Sequence, residues 1–361
     1  MWELKPLNPS LPRSSQEVST QIKIGHITVG YAQPVFIIAE IGYNFTSLEE
    51  AIASIDAVKE CGADAVKFQT FTADNLVIKN IDFPPEAGGG NQYLEFKQYE
   101  LSPEYHAKLF SHARKIGLIP LSTPSSIHDI PLLEENNIAA YKTGADDLTN
   151  IPLHQAIALK NKPMMISTGM SDLSEVAETV SAIRQTGNSD ILLFHTVSNY
   201  PVRDLSAINL RAMQTMADAL QVLVGYSDHT TTMSAPVAAV AMGASAYERH
   251  FTLDKKMPCP DAALSADPDE MKEIVRMIRE TEEMLGDGIK RCSHLEHDMR
   301  KNTRKSIVTT KQIDNGETFS SQNLGIKRPG YGIPPKMLDV LIGRTAQNNL
   351  PVDTVLSWDL V

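Results

Sequence analysis

The segments VFIIAE at 35–40, LEEAIASIDAVKECG at 48–62 and DAVKFQ at 64–69 make one complete unit of the pattern that decides the fold. A short apolar run reads as a strand, and the next segment puts Leu48, Ile52, Ile55 and Val58 on one face of a helix. Gly62 ends that helix as a C-cap before the second apolar run begins. Strand, helix, strand in this order signals parallel pairing, because parallel neighbours need a long crossover between them.

Further strand candidates follow at GLIPLS 117–122, IAAYKT 138–143, PMMIST 163–168, ILLFHT 191–196, QVLVGY 221–226 and SAYERH 245–250, eight in all. Eight is what a (β/α)8 barrel requires, whereas a doubly wound sheet usually stops at about five or six strands. The expected fold class is α/β, a TIM barrel over residues 33–285. SPEYHAKLFSHARKIG at 102–117 reads as another of its helices, with Ser102 as N-cap. The connection that carries FPPEAGGGNQYLEF at 83–96 is long and rich in proline and glycine, which marks it as functional or disordered.

Outside the barrel, residues 1–32 form an N-terminal extension in which VSTQIKIGHITVGY at 18–31 reads as a hairpin plugging one barrel end. The polar stretch at 286–305 reads as a linker. Residues 306–361, with short alternating runs and turn signals at DNG and PGYG, read as a small β-rich domain.

Composition narrows the function classes. A net charge of −11 without any basic block argues against nucleic acid or an anionic membrane as partner. Three cysteines, Cys61, Cys259 and Cys292, give no CxxC pair and no finger spacing, which fits a reducing compartment. The charged, proline-containing N-terminus lacks the apolar stretch of a signal peptide, and no run approaches a membrane span. A cytoplasmic location is expected.

The polar residues cluster where the strands end: Glu40, Lys67, Gln69, Ser122, Thr123, Lys142, Ser167, Thr168, Thr196, Ser198, Ser227, Asp228, His229, Glu248 and His250. Barrel enzymes keep their chemistry at that end. A lysine within a strand loses hydration as it is buried, so Lys67 and Lys142 point to an anion. Hydroxyls around two ammonium groups suit phosphate or carboxylate, and phosphoenolpyruvate carries both. His229 in GYSDHT and His250 in YERHF can share a divalent ion with open positions for water and substrate. Each residue alone has a plainer reading: Lys67 as a snorkelling rim residue, STGM as a helix cap, a strand-end histidine as a hydrogen-bonded core group. Their coincidence at one end of separate strands favours a site.

The same segments resemble the sialic acid synthase family, the N-acetylneuraminate, legionaminate and pseudaminate synthases. The matching stretches are FIIAEIG at 36–42, GADAVKFQTF at 62–71, LSTP at 121–124, YKTGADDLTN at 141–150, ISTGM at 166–170, GYSDHT with ERHFTLDK, and RKSIV with IKRPGYGI. The resemblance implies a C-terminal SAF (antifreeze-like, β-clip) domain and a domain-swapped homodimer. It implies condensation of phosphoenolpyruvate with an N-acylated hexosamine of the N-acetylmannosamine type, aided by manganese or, alternatively, magnesium or cobalt. By position, His229 and His250 would bind the metal, and Lys67, Lys142, Ser167, Thr196 and Ser227 the phosphoenolpyruvate. Glu40, Gln69, Asn91, Tyr200 and Asp261 would line the sugar side, with Thr123 and Ser198 also binding substrate. Arg328 of a partner subunit would contact the sugar. The metal, Glu248 or Asp147 would organise the water.

Departures from the family pattern fall at Asn44-Phe45-Thr46, at Ala145, at Ser198 and at Ala262 in CPDA, and they are expected to alter the sugar pocket. A 2,4-diacetamido acceptor, giving legionaminate or pseudaminate, and a non-catalytic sugar-binding relative are the alternatives.

Overall fold

Alternation along the strands of this protein places one set of side chains inside a barrel and the other under a layer of helices. The computed structural model describes residues 21–83 and 89–361. The extension before residue 21 and the middle of the 83–96 connection lie outside the described residues. Two compact units, Met1–Gly286 and Asp287–Val361, divide the chain.

In the first unit, β1 (Gln21–Ile24) and β2 (Ile27–Gly30) pair as an antiparallel hairpin. Eight parallel strands follow: β3 (Phe36–Gly42), β4 (Ala65–Thr70), β5 (Ile119–Pro124), β6 (Tyr141–Thr143), β7 (Met164–Ser167), β8 (Ile191–His195), β9 (Leu223–Asp228) and β10 (Ala246–His250). Their order is β5-β4-β3-β10-β9-β8-β7-β6, and β5 and β6 lie side by side to complete the ring. Every strand expected from the sequence is present, most displaced by one or two residues.

The crossover helices form as their caps dictate. Ser47 accepts the Glu50 N–H at 3.2 Å at the start of Leu48–Cys61, and Gly62 closes that helix with φ +84°. Ser102 caps Pro103–Lys115 in the same way. The last helix, Pro268–Leu285, returns to the first strands, where Arg279 reaches Asp64 at 3.2 Å and the Val35 carbonyl at 3.0 Å.

Two apolar layers result. Outward residues such as Ile37, Val66, Phe68, Met164, Leu193 and Tyr247 pack under the helices. Inward residues Phe36, Ile38, Ala65, Ile119, Leu121, Ala140, Met165, Leu192, Phe194, Leu223 and Ala246 fill the barrel, and Ile22, Ile24 and Val29 of the hairpin join them. The hairpin therefore plugs the barrel end from which the strands start. No helix of the described residues is long and apolar enough to cross a membrane.

The second unit has β11 (Ser306–Thr309) antiparallel to β12 (Leu324–Lys327) and further bridges such as Ile313 with Leu350. Its core holds Ile307, Ile313, Phe319, Leu324, Leu341 and Leu356. The stretch read as a linker is ordered into a 3₁₀ turn, His294–Glu296, and a helix, His297–Thr303. Ser293 and Glu296 form a reciprocal capping box there, a signal legible in the S-x-x-E spacing.

Candidate active site

The period of two selects which strand-end groups face the barrel mouth. Ser122, Thr168 and Asp228 do not. Ser122 Oγ lies 2.6 Å from Thr70 Oγ1, which in turn meets His106 Nε2 at 2.9 Å. Thr168 donates to the Phe194 carbonyl at 3.1 Å, and Asp228 accepts from Tyr247 at 2.8 Å and pairs with Arg249 at 3.5 Å. These three serve the outer layer. Thr123, Ser167 and Glu248 meet the lysines of the mouth, and Ser227 joins them through Glu248.

Two lysines and two glutamates form the centre, all at most 5% exposed. Lys67 Nζ lies 2.9 Å from Glu40 Oε2, 3.8 Å from Glu248 Oε1 and 3.2 Å from Thr123 Oγ1. Lys142 Nζ lies 3.8 Å from Glu248 Oε1, donates to Ser167 Oγ and to the Thr143 carbonyl, and stands over the Phe194 ring at 5.2 Å. Burial pulls both lysines toward the neutral form, with opposite outcomes. For Lys67 the Glu248 and Glu40 carboxylates outweigh burial and hold its pKa above the ordinary lysine value. For Lys142 burial wins, and its pKa falls to about 8.

Glu248 is the hinge of this network. Burial would raise its pKa, but Lys142 and Lys67 outweigh that and keep it ionised. Its Oε1 accepts from Ser227 at 3.1 Å, whereas Oε2 is buried with no hydrogen-bond partner among the described residues. A buried acceptor left unmatched costs about 1–3 kcal/mol. Such a group is set for a donor that arrives with a ligand.

His229 and His250 lie beside this cluster, their ring centroids 5.5 Å apart. Burial, reinforced by the His250 ring, pushes His229 down to about 3, so it is neutral. Its Nδ1 donates to the Val197 carbonyl at 2.8 Å, with Thr196 Oγ1 at 3.3 Å, which leaves Nε2 as the lone-pair nitrogen. His250 Nδ1 is buried without a hydrogen bond among the described residues, and Asp261 Oδ2 lies 3.6 Å away. Among the described residues no group of three or more His, Cys, Asp or Glu is placed to hold an ion. The lone pair of His229 Nε2 and the unmatched His250 Nδ1 are donors of the chemical type that a divalent ion takes.

The rim is less uniform. Tyr200 lies against His229 at 4.1 Å between centroids with the rings tilted by 35°, and meets His250 edge-on at 5.9 Å. Gln69 donates to Glu40 at 3.3 Å. Asn91 is spent locally: it caps Gln92–Tyr99 by accepting from Leu94 and donates to the Lys79 carbonyl at 2.9 Å. Asp147 is also spent locally, accepting from Asn150 at 2.9 Å, and no hydrogen bond or ion pair joins it to the lysine cluster. Of the positions that depart from the family pattern, Phe45 and Ala262 are both buried, Phe45 within the apolar layer under the helices. Arg328, in the second unit, is exposed and has no partner among the described residues.

Two glycines that sequence reasoning passed over shape the mouth. A Cβ at Gly42, where φ is +59°, would lie 3.2 Å from Glu40 Oε1 and 3.4 Å from Gln69 Nε2. A Cβ at Gly169 would lie 2.4 Å from Ser198 Oγ and 3.1 Å from Thr196 Cγ2. Both sit in quoted motifs, AEIG and STGM, but only coordinates reveal which side chains crowd them.

Comparison with known proteins follows the same division. The NeuB family profile matches residues 54–290, and the SAF domain profile matches residues 304–361. An N,N'-diacetyllegionaminic acid synthase of Legionella pneumophila is 40% identical, covering 91% of this chain and 95% of its own. A pseudaminic acid synthase of Campylobacter jejuni is 34% identical over 88% of this chain and 93% of its own. The crystal structure of an N-acetylneuraminic acid (sialic acid) synthetase from Leptospira borgpetersenii superposes with a TM-score of 0.70 at 30% identity, covering 77% of this chain and 94% of that one.

Proposed function

This chain belongs to the NeuB family and is an enzyme of it, and on that premise we propose that it is a nonulosonic acid synthase. It condenses phosphoenolpyruvate with an N-acylated mannosamine-type sugar and water, giving N-acetylneuraminate or a close relative and phosphate. The observation that carries this reading is the pair of buried lysines facing a glutamate with an unmatched oxygen, beside two neutral imidazoles.

Lys67 and Lys142 take up the anionic groups of phosphoenolpyruvate, and Thr123, Ser167, Thr196 and Ser227 add hydroxyl donors around them. His229 and His250 would hold a divalent cation, manganese foremost, which when bound supplies Lewis-acid polarisation of the acceptor carbonyl. Glu40, Gln69, Tyr200 and Asp261 border the acceptor. Carbon 3 of phosphoenolpyruvate bonds to the aldehyde carbon, water adds at carbon 2, and the bond from carbon 2 to the phosphate oxygen breaks. Glu248 Oε2 receives the first proton that water gives up, which balances the hydroxyl formed from the aldehyde oxygen, and the second leaves with the phosphate as carbon 2 becomes the ketone. Of the two acids expected to organise water, Glu248 is favoured by its unmatched oxygen and its contact with both lysines. Arg328 of a second copy completes the sugar side in a domain-swapped dimer, a role supported by its exposed, unpaired guanidinium.

The test is phosphate release from phosphoenolpyruvate with manganese and a panel of acceptors, N-acetylmannosamine and 2,4-diacetamido sugars included, with products identified by mass. Release that requires an acceptor and stops with EDTA is expected. Absence of release with every acceptor rejects the proposal.

A further inference from the structure

The loop after β6 carries two consecutive aspartates, and the fold uses them differently. Asp147 is part of the scaffold: its carboxylate accepts from Asn150, its carbonyl takes the His154 ring N–H at 2.9 Å, and burial pushes its pKa up to about 6. Asp146 is exposed, and its carboxylate makes no hydrogen bond or ion pair among the described residues. It is nevertheless confined. A Cβ at Gly144 would lie 2.2 Å from Asp146 Oδ1, so the carboxylate folds back over the glycine into space that a side chain there would fill.

That position belongs to the mouth. Ala145 packs toward the turn after β7, where a Cβ at Gly169 would lie 3.2 Å from Ala145 Cβ and 2.4 Å from Ser198 Oγ. Asp146 is therefore one residue from the point where the loops after β6, β7 and β8 converge. Its charge acts on Lys142 at the strand end and on Tyr200, whose ring lies 4.1 Å from that of His229. An ionised carboxylate only accepts hydrogen bonds, so its ligand must donate. Phosphoenolpyruvate is an anion without such a donor. The acceptor sugar is rich in them.

We infer that Asp146 is a specificity-determining residue for the acceptor, its carboxylate accepting a hydrogen bond from a sugar hydroxyl or acylamino N–H. The assignment rests on the synthase reading. Steady-state kinetics with both substrates varied test it in Asp146→Ala and Asp146→Asn. Loss of a hydrogen bond to a charged group predicts a rise of about tenfold or more in the acceptor KM of Asp146→Ala, with the phosphoenolpyruvate KM changed less than about twofold. Asp146→Asn, which keeps a carbonyl acceptor, recovers part of the loss.

Singly deoxygenated or deacylated acceptors then locate the donor: its removal weakens the native enzyme and costs Asp146→Ala nothing more. An unchanged acceptor KM in Asp146→Ala, or equal rises in both KM values, overturns the assignment while the synthase reading stands. A native enzyme that releases no phosphate with any acceptor removes both.

Discussion

The two ends of the barrel are built from the same strands and differ in almost every inward side chain. Two residues separate the layers: Ile38 leads to Glu40, Ala65 to Lys67, Leu121 to Thr123, Ala140 to Lys142, Met165 to Ser167 and Ala246 to Glu248. The lower layer is apolar and sealed by Ile22, Ile24 and Val29 of the hairpin. The upper layer buries four charges and leaves Glu248 Oε2 unmatched. The lower end stabilises; the upper end gives up stability for a preorganised site. A strand that gains burial at one end can carry that cost at the other.

Substitutions should separate the two ends, and the largest effect is expected on turnover. Lys142→Met or His229→Ala should lower kcat/KM by at least about a hundredfold, with the circular dichroism spectrum unchanged. Next comes stability: Phe36→Ala in the lower layer should cost about 3–5 kcal/mol in urea unfolding while turnover of the folded fraction persists. The paired replacement Lys67→Met with Glu40→Leu sharpens the contrast. It should abolish activity yet leave stability unchanged or raised by about 1–4 kcal/mol, because a buried ion pair seldom recovers its desolvation. Equal losses of stability from both ends would break the comparison.

The pH dependence is a smaller effect with opposite signs for activity and stability. Burial sets Lys142 near a pKa of about 8 in the folded chain, below its ordinary value of 10.5. As pH rises through about 8 the ammonium is lost, so kcat/KM for phosphoenolpyruvate should fall about tenfold per unit. Between the two values the unfolded chain binds more protons at this group, so its contribution to stability should rise with pH. Rate profiles and urea midpoints over that range check both signs. The smallest change is Gly169→Ala, which should push Ser198 aside and weaken substrate binding without unfolding the chain.

Much of this was legible in the residues. Hydrophobic period and cap chemistry located the strands, the helices capped by Ser47 and Ser102, and the plugging hairpin. The lysine, glutamate and histidine members of the site followed, because a charge carried into a barrel by its strand must meet a partner or a ligand there. Facing was harder to read. A strand boundary uncertain by one residue exchanges Ser122 for Thr123 or Thr168 for Ser167, and only one of each pair reaches the mouth. Asp146 and Asp147 are chemically identical in sequence, and burial together with the hydrogen bond from Asn150 sets Asp147 apart in space. Phe45 breaks the family pattern yet is buried in the core, since sequence departure alone says nothing of direction.

The central claim is that the upper layer is an anion site made by two buried lysines, and calorimetric titration with phosphoenolpyruvate tests it most directly. The native protein should bind one phosphoenolpyruvate per chain, Phe36→Ala should bind it as tightly while folded, and Lys142→Met should lose about a hundredfold or more in affinity. Unchanged affinity in Lys142→Met, or no binding by the native protein, would contradict the account.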